Sequence, residues 1–402
     1  MADSPTAAPE GASRRIGIPQ IAGAAIVLAF FLFFVWRGLY AHFAEDDMMN
    51  IHYYWSRGWW ALVKGLALFF TTYYRPMGGV FYNVLYHFFG LNPLPYHIAI
   101  TALLLLNTYL AFRFTVHISG SQLAGGLCAL LVAYHAQLAW LVFLPSLVYD
   151  VLCFTFFFLA LNYYLAIRQR GARLTRWQTA AFLLLYIGAL EAKEMAVTLP
   201  VMVLVYEAIW HPPTRWRPAQ ILAWARTEAV TPLLAGLITA VYIVGKTLGP
   251  DALSNIDSYK LVFTWDRYVA NTAKFLNTIF YQSLWFGFFR GSVKVVLIWT
   301  VLAYIAWRLK KRELWFLWFF VIVTPLPITF IWGRGGGCLY IPLAGWAVLA
   351  STLFLGLCGV IAREPFLRRV PFQVTRTVLV LLAVALVWRE TAHQNTNIMP
   401  SM

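Results

Sequence analysis

Apolar runs about as long as a bilayer is thick recur along the whole of this 402-residue chain. A transmembrane helix needs about 20 mostly apolar residues, and only helices and closed barrels can cross hydrocarbon. Hydrophobic residues make up 61% of the chain and charged residues only 12%, whereas a soluble domain carries about 25% charged residues. The composition therefore excludes a soluble globular protein and predicts an all-α polytopic membrane protein.

About 11 transmembrane helices are predicted, joined by short loops. The predicted spans are 19–39, 94–115, 122–140, 146–167, 178–193, 195–211, 229–247, 292–309, 314–332, 338–361 and 374–389. Basic residues concentrate in the loops 168–176, 215–226, 308–312 and 363–376. Because cytoplasmic loops are rich in Lys and Arg, these four loops and the N-terminus are assigned to the cytoplasm. The net charge of +15 is spread over these loops and does not indicate nucleic-acid binding.

The chain is expected to form one membrane domain with short flanking segments. The predicted divisions are a disordered cytoplasmic N-terminus at 1–18, a transmembrane domain at 19–390 and an outer tail at 391–402. The first outer loop, 40–93, is rich in aromatic residues and predicts amphipathic helices on the membrane interface. The outer loop 248–290 is expected to be partly interfacial. Within it, 265–289 is assigned to a re-entrant or interfacial helix pair, since a further crossing would move 308–312 outside.

A cluster of three acids, Glu45-Asp46-Asp47, follows directly after the first predicted span. Acids are scarce, at 16 in the whole chain, and nearly all those of the middle of the chain fall in outer loops. A carboxylate near hydrocarbon is costly unless it has a partner or a task. One of Asp46 and Asp47 is predicted to face a cavity as a general base, with Asp47 favoured. The pair also fits a divalent cation, and a solvated loop acid is the alternative.

Three cations are predicted to lie on the same outer face. Arg75 ends the first outer loop, Lys193 lies in the turn Glu191-Ala192-Lys193-Glu194, and Arg334 precedes three glycines. Arg and Lys are the side chains that bind phosphate oxygens, and a glycine run lets backbone amides approach an anion. The alternatives are an interfacial Arg75 and mutual salt bridges within the turn.

A polar group around the second outer loop contains His135 and Asp150. His135 lies in an otherwise apolar stretch, and Asp150 opens an apolar helix. His135 is expected to hydrogen-bond either a sugar or a buried neighbour. Asp150 fits a ligand contact as well as a helix cap.

The order of these segments resembles the GT-C class of integral-membrane glycosyltransferases, which use polyprenyl-phosphate sugars. Within that class the chain looks most like the O-mannosyltransferases that usually also carry tetratricopeptide repeats. The resemblance covers about residues 40–350. It is carried by Asp46-Asp47, Tyr74-Arg75-Pro76, Gly90-Leu91-Asn92-Pro93 before Tyr96-His97, Tyr134-His135 through Trp140, Ala192-Lys193-Glu194-Met195 before Thr198-Leu199-Pro200, and Leu339-Tyr340-Ile341-Pro342.

The resemblance implies the GT-C fold and an inverting transfer of a sugar, a mannose-like hexose being favoured, to an acceptor hydroxyl. It assigns catalysis to Asp47 or Asp46, and the donor phosphate to Arg75, Lys193 and Arg334. Sugar-binding residues are expected to be Glu191, Glu194, Asp150, His135 and Tyr340. No cofactor is assigned, and a divalent metal is left open.

The expected partners are an undecaprenyl or dolichyl phosphate sugar, a protein, glycan or lipid acceptor, and membrane lipids. The expected location is the plasma (inner) membrane, with the active site on its periplasmic or extracellular face. Three departures from the family are visible, since no tetratricopeptide repeats follow, Gly336-Gly337-Cys338 replaces an acidic-basic-Tyr run, and His135-Ala136 stands where relatives often have His-Pro. The competing functions are a transporter or flippase and a ligase for a lipid-linked glycan.

Overall fold

The computed structural model describes residues 18–248, 255, 257–281, 291–364 and 370–398, most of which are helical. The first nine helices are α1 (Ile18–Val35), α2 (Glu45–Ala67), α3 (Pro76–Phe89), α4 (Pro93–Ser119), α5 (Gln122–Ala133), α6 (Trp140–Phe143), α7 (Val148–Arg168), α8 (Arg176–Ala192) and α9 (Leu199–Trp210). The remainder are α10 (Pro218–Thr227), α11 (Val230–Thr247), α12 (Trp265–Ile279), α13 (Gly291–Leu309), α14 (Arg312–Val323), α15 (Leu326–Thr329), α16 (Tyr340–Ile361) and α17 (Phe372–Ile398). Within the described residues, β pairing is limited to one isolated bridge, Leu261 to Ile331.

Eight described helical segments are long and apolar enough to cross a membrane. They are Ile18–Tyr40, Pro93–Ser119, Pro145–Arg168, Val230–Thr247, Ser292–Leu309, Arg312–Thr329, Gly336–Ile361 and Phe372–Asn397. The helix pair Gln122–Ala133 and Ala136–Phe143, bent by 51°, adds a ninth if both helices form one span. The predicted all-α polytopic membrane protein is thereby confirmed.

The two other predicted spans, 178–193 and 195–211, correspond to shorter helices. The helix α8 has 17 residues, and the second region is a 3-10 turn, Glu194–Thr198, followed by the 12 residues of α9. At about 1.5 Å per residue, α8 is about 26 Å long, somewhat less than a bilayer core of about 30 Å.

The central helix α7 runs between two groups of buried charges. Near its start Asp150 pairs with Lys193, which directly follows α8. At its end Arg168 pairs with Glu207, in the last turn of α9. The helices α8 and α9 therefore connect the same two ends of the bundle as α7 does. We name the end that contains Asp150 the site end and the end that contains Arg168 the basic end.

The basic end also contains acids, which corrects the expectation that nearly all acids of the middle of the chain face outward. Glu207 accepts a hydrogen bond from Arg168 at 2.7 Å, and Glu228 accepts one from the same guanidinium at 2.6 Å. Glu228 also pairs with Arg173. Counting charges in loops missed Glu207 because it lies inside a helix, where it is fully buried.

Polar side chains join the apolar helices of the core at a few points. Asn107 of α4 donates to the carbonyl oxygen of Val151 at 3.0 Å and accepts from Thr155 at 2.7 Å. Around these bonds, α7 buries Phe154 and Phe158 completely. Side-chain hydrogen bonds of this kind fix the register of helices that have no hydrophobic driving force between them in lipid.

The predicted first outer loop forms the helices α2 and α3. Gly58 divides α2, because its φ of 71° is left-handed and interrupts the helix. The half before Gly58 buries Asp47 and Tyr54, whereas the half after it exposes Trp59 (48%) and Trp60 (78%). The second half is therefore suited to an interface, as the amphipathic pattern predicts.

Three predicted segments lie partly or wholly outside the described residues, or end at a different residue than predicted. The N-terminal segment 1–17 lies outside the described residues. The predicted helix pair at 265–289 begins with α12, and its second part, 282–290, also lies outside the described residues. The helix α17 continues past the predicted boundary at 390 to Ile398, so the start of the expected tail is helical.

Candidate functional site

The acidic cluster forms the first turn of α2. The buried Asp47 accepts hydrogen bonds from the backbone amide of Ala44 at 2.7 Å and from that of Ser146 at 2.5 Å. The first bond fixes the start of α2, and the second ties α2 to the chain just before α7. Asp46, one residue earlier, is exposed.

The two adjacent acids therefore have different environments. Burial raises the pKa of the Asp47 carboxyl above its ordinary value, although the amides of Ala44 and Ser146 act in the opposite direction. Both oxygens of Asp47 already accept a hydrogen bond, and its side chain is closed to an acceptor. Of the two acids predicted as the base, Asp46 is thus the exposed one, whereas the preferred Asp47 is enclosed and bonded to backbone amides.

Tyr149 joins the acidic helix to the buried cations. Its hydroxyl donates to Asn50 Oδ1 at 2.9 Å and lies 3.2 Å from the hydroxyl of Tyr54, and both partners belong to α2. Its ring lies beside the guanidinium of Arg75, with the Arg75 Cζ 5.1 Å from the ring centroid. A Cβ on Gly78 would lie 2.1 Å from the Tyr149 ring, so only glycine permits this packing.

Arg75 precedes α3 with a left-handed backbone, at a φ of 40°. Such a conformation is strained for a residue with a side chain and needs support from its surroundings. The Tyr54 hydroxyl supplies it, since it lies 2.9 Å from the carbonyl oxygen of Tyr74 and 3.1 Å from that of Arg75. Pro76, at the first position of α3, fixes the chain on the other side.

The buried guanidinium of Arg75 forms a two-pronged ion pair with Glu194. The Nε–Oε1 distance is 3.3 Å and the Nη2–Oε2 distance is 2.8 Å. The remaining Nη1 donates to the Tyr74 hydroxyl at 2.8 Å. Burial acts to raise the pKa of Glu194, but the charge and hydrogen bonds of Arg75 outweigh it and lower that pKa to about 2. Glu194 is therefore ionised at any physiological pH.

A second ion pair lies beside the first. Lys193 donates from Nζ to both oxygens of Asp150, at 2.7 and 2.6 Å, and to the Cys338 sulfur at 3.2 Å. A Cβ on Gly337 would lie 3.2 Å from Asp150 Oδ2, which shows how closely the glycine loop covers the pair. The structure thus brings together Arg75, Lys193, Glu194 and Asp150, as expected. Lys193 is enclosed with Asp150, which leaves it no open face toward a phosphate.

Arg334 lies at the edge of this group and is half-buried. Its Cζ lies 3.9 Å from the ring centroid of Tyr259. Tyr259 is in turn one of the groups, after Glu194 and Tyr74, that raise the pKa of Arg75 against the effect of burial. Within the described residues, no carboxylate forms a salt bridge with Arg334. Of the three cations predicted to bind the phosphate, it is therefore the one without a carboxylate partner among these residues, since the other two are both paired.

The remaining predicted sugar-binding residues are engaged in other contacts. His135 Nε2 lies 3.1 Å from the carbonyl oxygen of Ile279, and its ring stacks on Tyr281 with centroids 4.3 Å apart. The ring of Tyr340 stacks on Phe154. These contacts match the buried-neighbour alternative for His135 and place Tyr340 in the core.

Glu191, in the last turn of α8, is a buried carboxyl. It is 4% exposed, and its Oε1 has no hydrogen-bond partner among the described residues. Lys246, which donates from Nζ to the carbonyl oxygen of Tyr73 at 2.7 Å, is its nearby charge. Among the described residues, no group of three or more His, Cys, Asp or Glu side chains is arranged to hold a metal ion.

Three residues that position this site were not among the predicted site residues. Asn50, Tyr54 and Tyr149 connect the acidic helix to Arg75. A signal for two of them was present, because Asp47, Asn50 and Tyr54 recur at spacings of three and four residues, which share one face of a helix. Tyr149 carried no comparable signal, since its partners are about a hundred residues distant in sequence.

Comparison with known protein families and with curated proteins finds no match to this chain. The site itself is therefore the basis for inferring a function. It combines an exposed carboxyl, one enclosed and one partly open ion pair, and a half-buried cation at one end of an apolar bundle.

Proposed function

We propose that this protein is a membrane glycosyltransferase of the GT-C type, which transfers a sugar from a polyprenyl phosphate to an acceptor hydroxyl. A mannose-like hexose is the favoured sugar, and the acceptor is a protein, glycan or lipid. The observation that carries the proposal is the link through Tyr149 between the acidic start of α2 and the Arg75–Glu194 pair. It supports the proposal because the helix start that carries Asp46 and the guanidinium of Arg75 lie at the same end of the bundle.

The chemistry of glycosyl transfer needs both kinds of group. The transition state resembles an oxocarbenium ion, and negative charge grows on the departing phosphate. Cations already in place stabilise that growing charge more than they stabilise the bound substrate. Arg75 and Arg334 are assigned to the phosphate, and Asp46 is assigned to remove the proton from the acceptor hydroxyl.

The membrane arrangement supports the same proposal. If the bent pair, α8 and the segment formed by the 3-10 turn and α9 all cross together with the eight apolar segments, the described residues make eleven crossings. The site end is then the non-cytoplasmic end, because the basic loops lie at the other. A donor with a long prenyl chain fits such a site, since its tail stays in lipid while its sugar reaches water.

A transporter would need charged groups along a path through the bilayer, near its midplane. The salt bridges that join different helices of the described chain involve Arg75, Arg168, Arg173 and Lys193, and they lie at the site end or at the basic end. This distribution favours the enzyme over the transporter.

The test is transfer from a synthetic polyprenyl-phosphate monosaccharide by the purified protein. Asp46→Asn should lower the rate by about 10²- to 10⁴-fold, the usual contribution of a general base. Glu45→Gln removes an equally exposed neighbouring charge and serves as the matched control, with a rate near that of the wild type. Asp47→Asn should lower thermal stability instead, because its amide group would face a backbone N–H. Full activity in Asp46→Asn contradicts the base assignment, and no consumption of any prenyl-phosphate sugar contradicts the enzyme class.

A further inference from the structure

The two ion pairs at the site end differ in how open they are. In the Lys193–Asp150 pair both side chains are enclosed, at 10% and 3% exposed. In the Arg75–Glu194 pair the cation is equally buried, at 8%, but the carboxylate is 31% exposed. An anion arriving from solvent or from the lipid surface can therefore reach the Arg75–Glu194 pair on the side of Glu194. It cannot reach the Lys193–Asp150 pair without moving the glycine loop.

The two partners of the open pair also differ in how firmly they are held. The backbone of Arg75 is fixed between the Tyr54 hydroxyl and Pro76, and its guanidinium bonds to the Tyr74 hydroxyl. Glu194 is the first residue of a short 3-10 turn, and its carboxylate oxygens bond to Arg75. If the pair opens, Glu194 is the residue that moves away.

We propose that Glu194 occupies the phosphate position on Arg75 in the empty protein, and that the phosphate of a prenyl-phosphate lipid replaces it. This inference rests on the proposed function, since it concerns the same site. A carboxylate and a phosphate offer the guanidinium fork the same two-oxygen contact, so they compete for it. Arg334 adds a second cation that has no carboxylate partner among the described residues, which favours the phosphate over Glu194.

This exchange explains how a buried cation can be kept without a bound ligand. An unpaired guanidinium in a dehydrated site is costly, and Glu194 offsets that cost until the donor arrives. It also makes Glu194 an internal competitor that weakens binding. If Glu194 covers Arg75 about nine-tenths of the time, the apparent affinity is about tenfold lower than the intrinsic affinity.

The experiment measures binding of farnesyl phosphate, a short prenyl monophosphate, to the full-length protein in detergent. Glu194→Gln should bind it about tenfold more tightly than the wild type. Arg75→Gln should lose most of the binding. Asp150→Asn should show no gain, because the Lys193–Asp150 pair is closed. Glu45→Gln removes a negative charge from the same helix bundle end without touching Arg75, and it should bind as the wild type does.

An unchanged or weaker affinity in Glu194→Gln overturns the inference, as does an equal gain in Glu45→Gln. If Glu194→Gln does not fold, Glu194→Asp is measured instead, since its shorter side chain reaches Arg75 less well and a gain in affinity is again expected. Inorganic phosphate forms a second arm. Equal binding of phosphate and farnesyl phosphate identifies a soluble anion as the ligand and contradicts the lipid assignment.

The binding measurement involves no sugar, which separates it from the test of the proposed function. A gain for Glu194→Gln in a protein that transfers no sugar supports the exchange and contradicts the glycosyltransferase. If the wild type transfers sugar and the Glu194→Gln variant has the same KM for the donor, the enzyme is supported and the exchange is overturned.

Discussion

Glu194 keeps its charge to a pH at which most carboxyls are neutral. Because the pKa of Glu194 in the folded protein is about 2, below its ordinary value, ionisation of this group contributes stability above that ordinary value. The contribution is lost as the pH falls toward about 2, where the folded protein must also protonate the carboxyl. We therefore expect the melting temperature of the wild type to fall more steeply between about pH 4.5 and pH 2 than that of Glu194→Gln.

Thermal unfolding of the purified protein across that pH window measures the effect. Glu45→Gln is the matched control, since Glu45 is exposed and forms no ion pair among the described residues; its profile should follow that of the wild type. Parallel curves for the wild type and Glu194→Gln would show that the Arg75 pair adds nothing to stability in acid.

At the scale of single residues, the sequence indicated which charged side chains lie close together better than it indicated which of them form pairs. The scarcity of acids pointed to Asp46 and Asp47, but only burial distinguishes the one that is closed from the one that is open. The pairing of Lys193 with Asp150 joins residues 43 positions apart. No local pattern determines such a contact, because it depends on how α7 and α8 pack.

Three helices are joined at the basic end by one buried network. Arg168 of α7 binds Glu207 of α9 and also Glu228, which directly follows α10. The Tyr164 hydroxyl donates to Glu207 at 2.7 Å. With every member paired, the network holds the ends of the three helices in one arrangement.

Removing one partner of this network should be strongly destabilising. Glu207→Gln leaves the Arg168 guanidinium buried without its main counter-charge, and we expect a loss of about 3–5 kcal/mol in the free energy of unfolding. Arg173→Gln breaks a pair whose arginine is 61% exposed, and it should cost less than about 1 kcal/mol. Denaturant unfolding in detergent compares the two variants. Equal losses would mean that burial of the network is not what stabilises it.

The helices themselves were predictable where they are long and evenly apolar. The predicted spans at 146–167 and 338–361 correspond to described segments that are apolar enough to cross. Prediction was weaker for α8 and α9, because the charged turn between them shortens both helices. The division of α2 at Gly58 was not predicted, since a left-handed glycine within a helical pattern leaves the surrounding pattern unchanged.

For the whole molecule, the contacts of α1 and α17 show which ends of the first and last helices lie together. Tyr134 stacks on Phe34, at the end of α1, with ring centroids 4.9 Å apart, and its hydroxyl bonds to Asn395, near the end of α17. The C-terminal ends of α1 and α17 therefore lie together. The start of α1 at Ile18 is at the far side of the bundle from Asn395.

We expect the two ends of the chain to lie on opposite sides of the membrane, with the start of α1 in the cytoplasm. A reporter that is active only outside the cytoplasm should be active when fused after α17. The same reporter inserted in the basic loop after α7 should be inactive and provides the control. Activity at both positions, or at neither, would contradict an odd number of crossings between the loop after α7 and the end of α17.

The break at Gly58 gives the two halves of α2 separate attachments. The part that carries Asp46 is tied through Asp47 and Tyr54 to protein groups, whereas Trp59 and Trp60 face outward. We expect the glycine joint between them to let the tryptophans follow changes in bilayer thickness without pulling on the acidic turn. The proposed base would then be insulated from the lipid around it, and the proposed transfer would vary little with membrane composition.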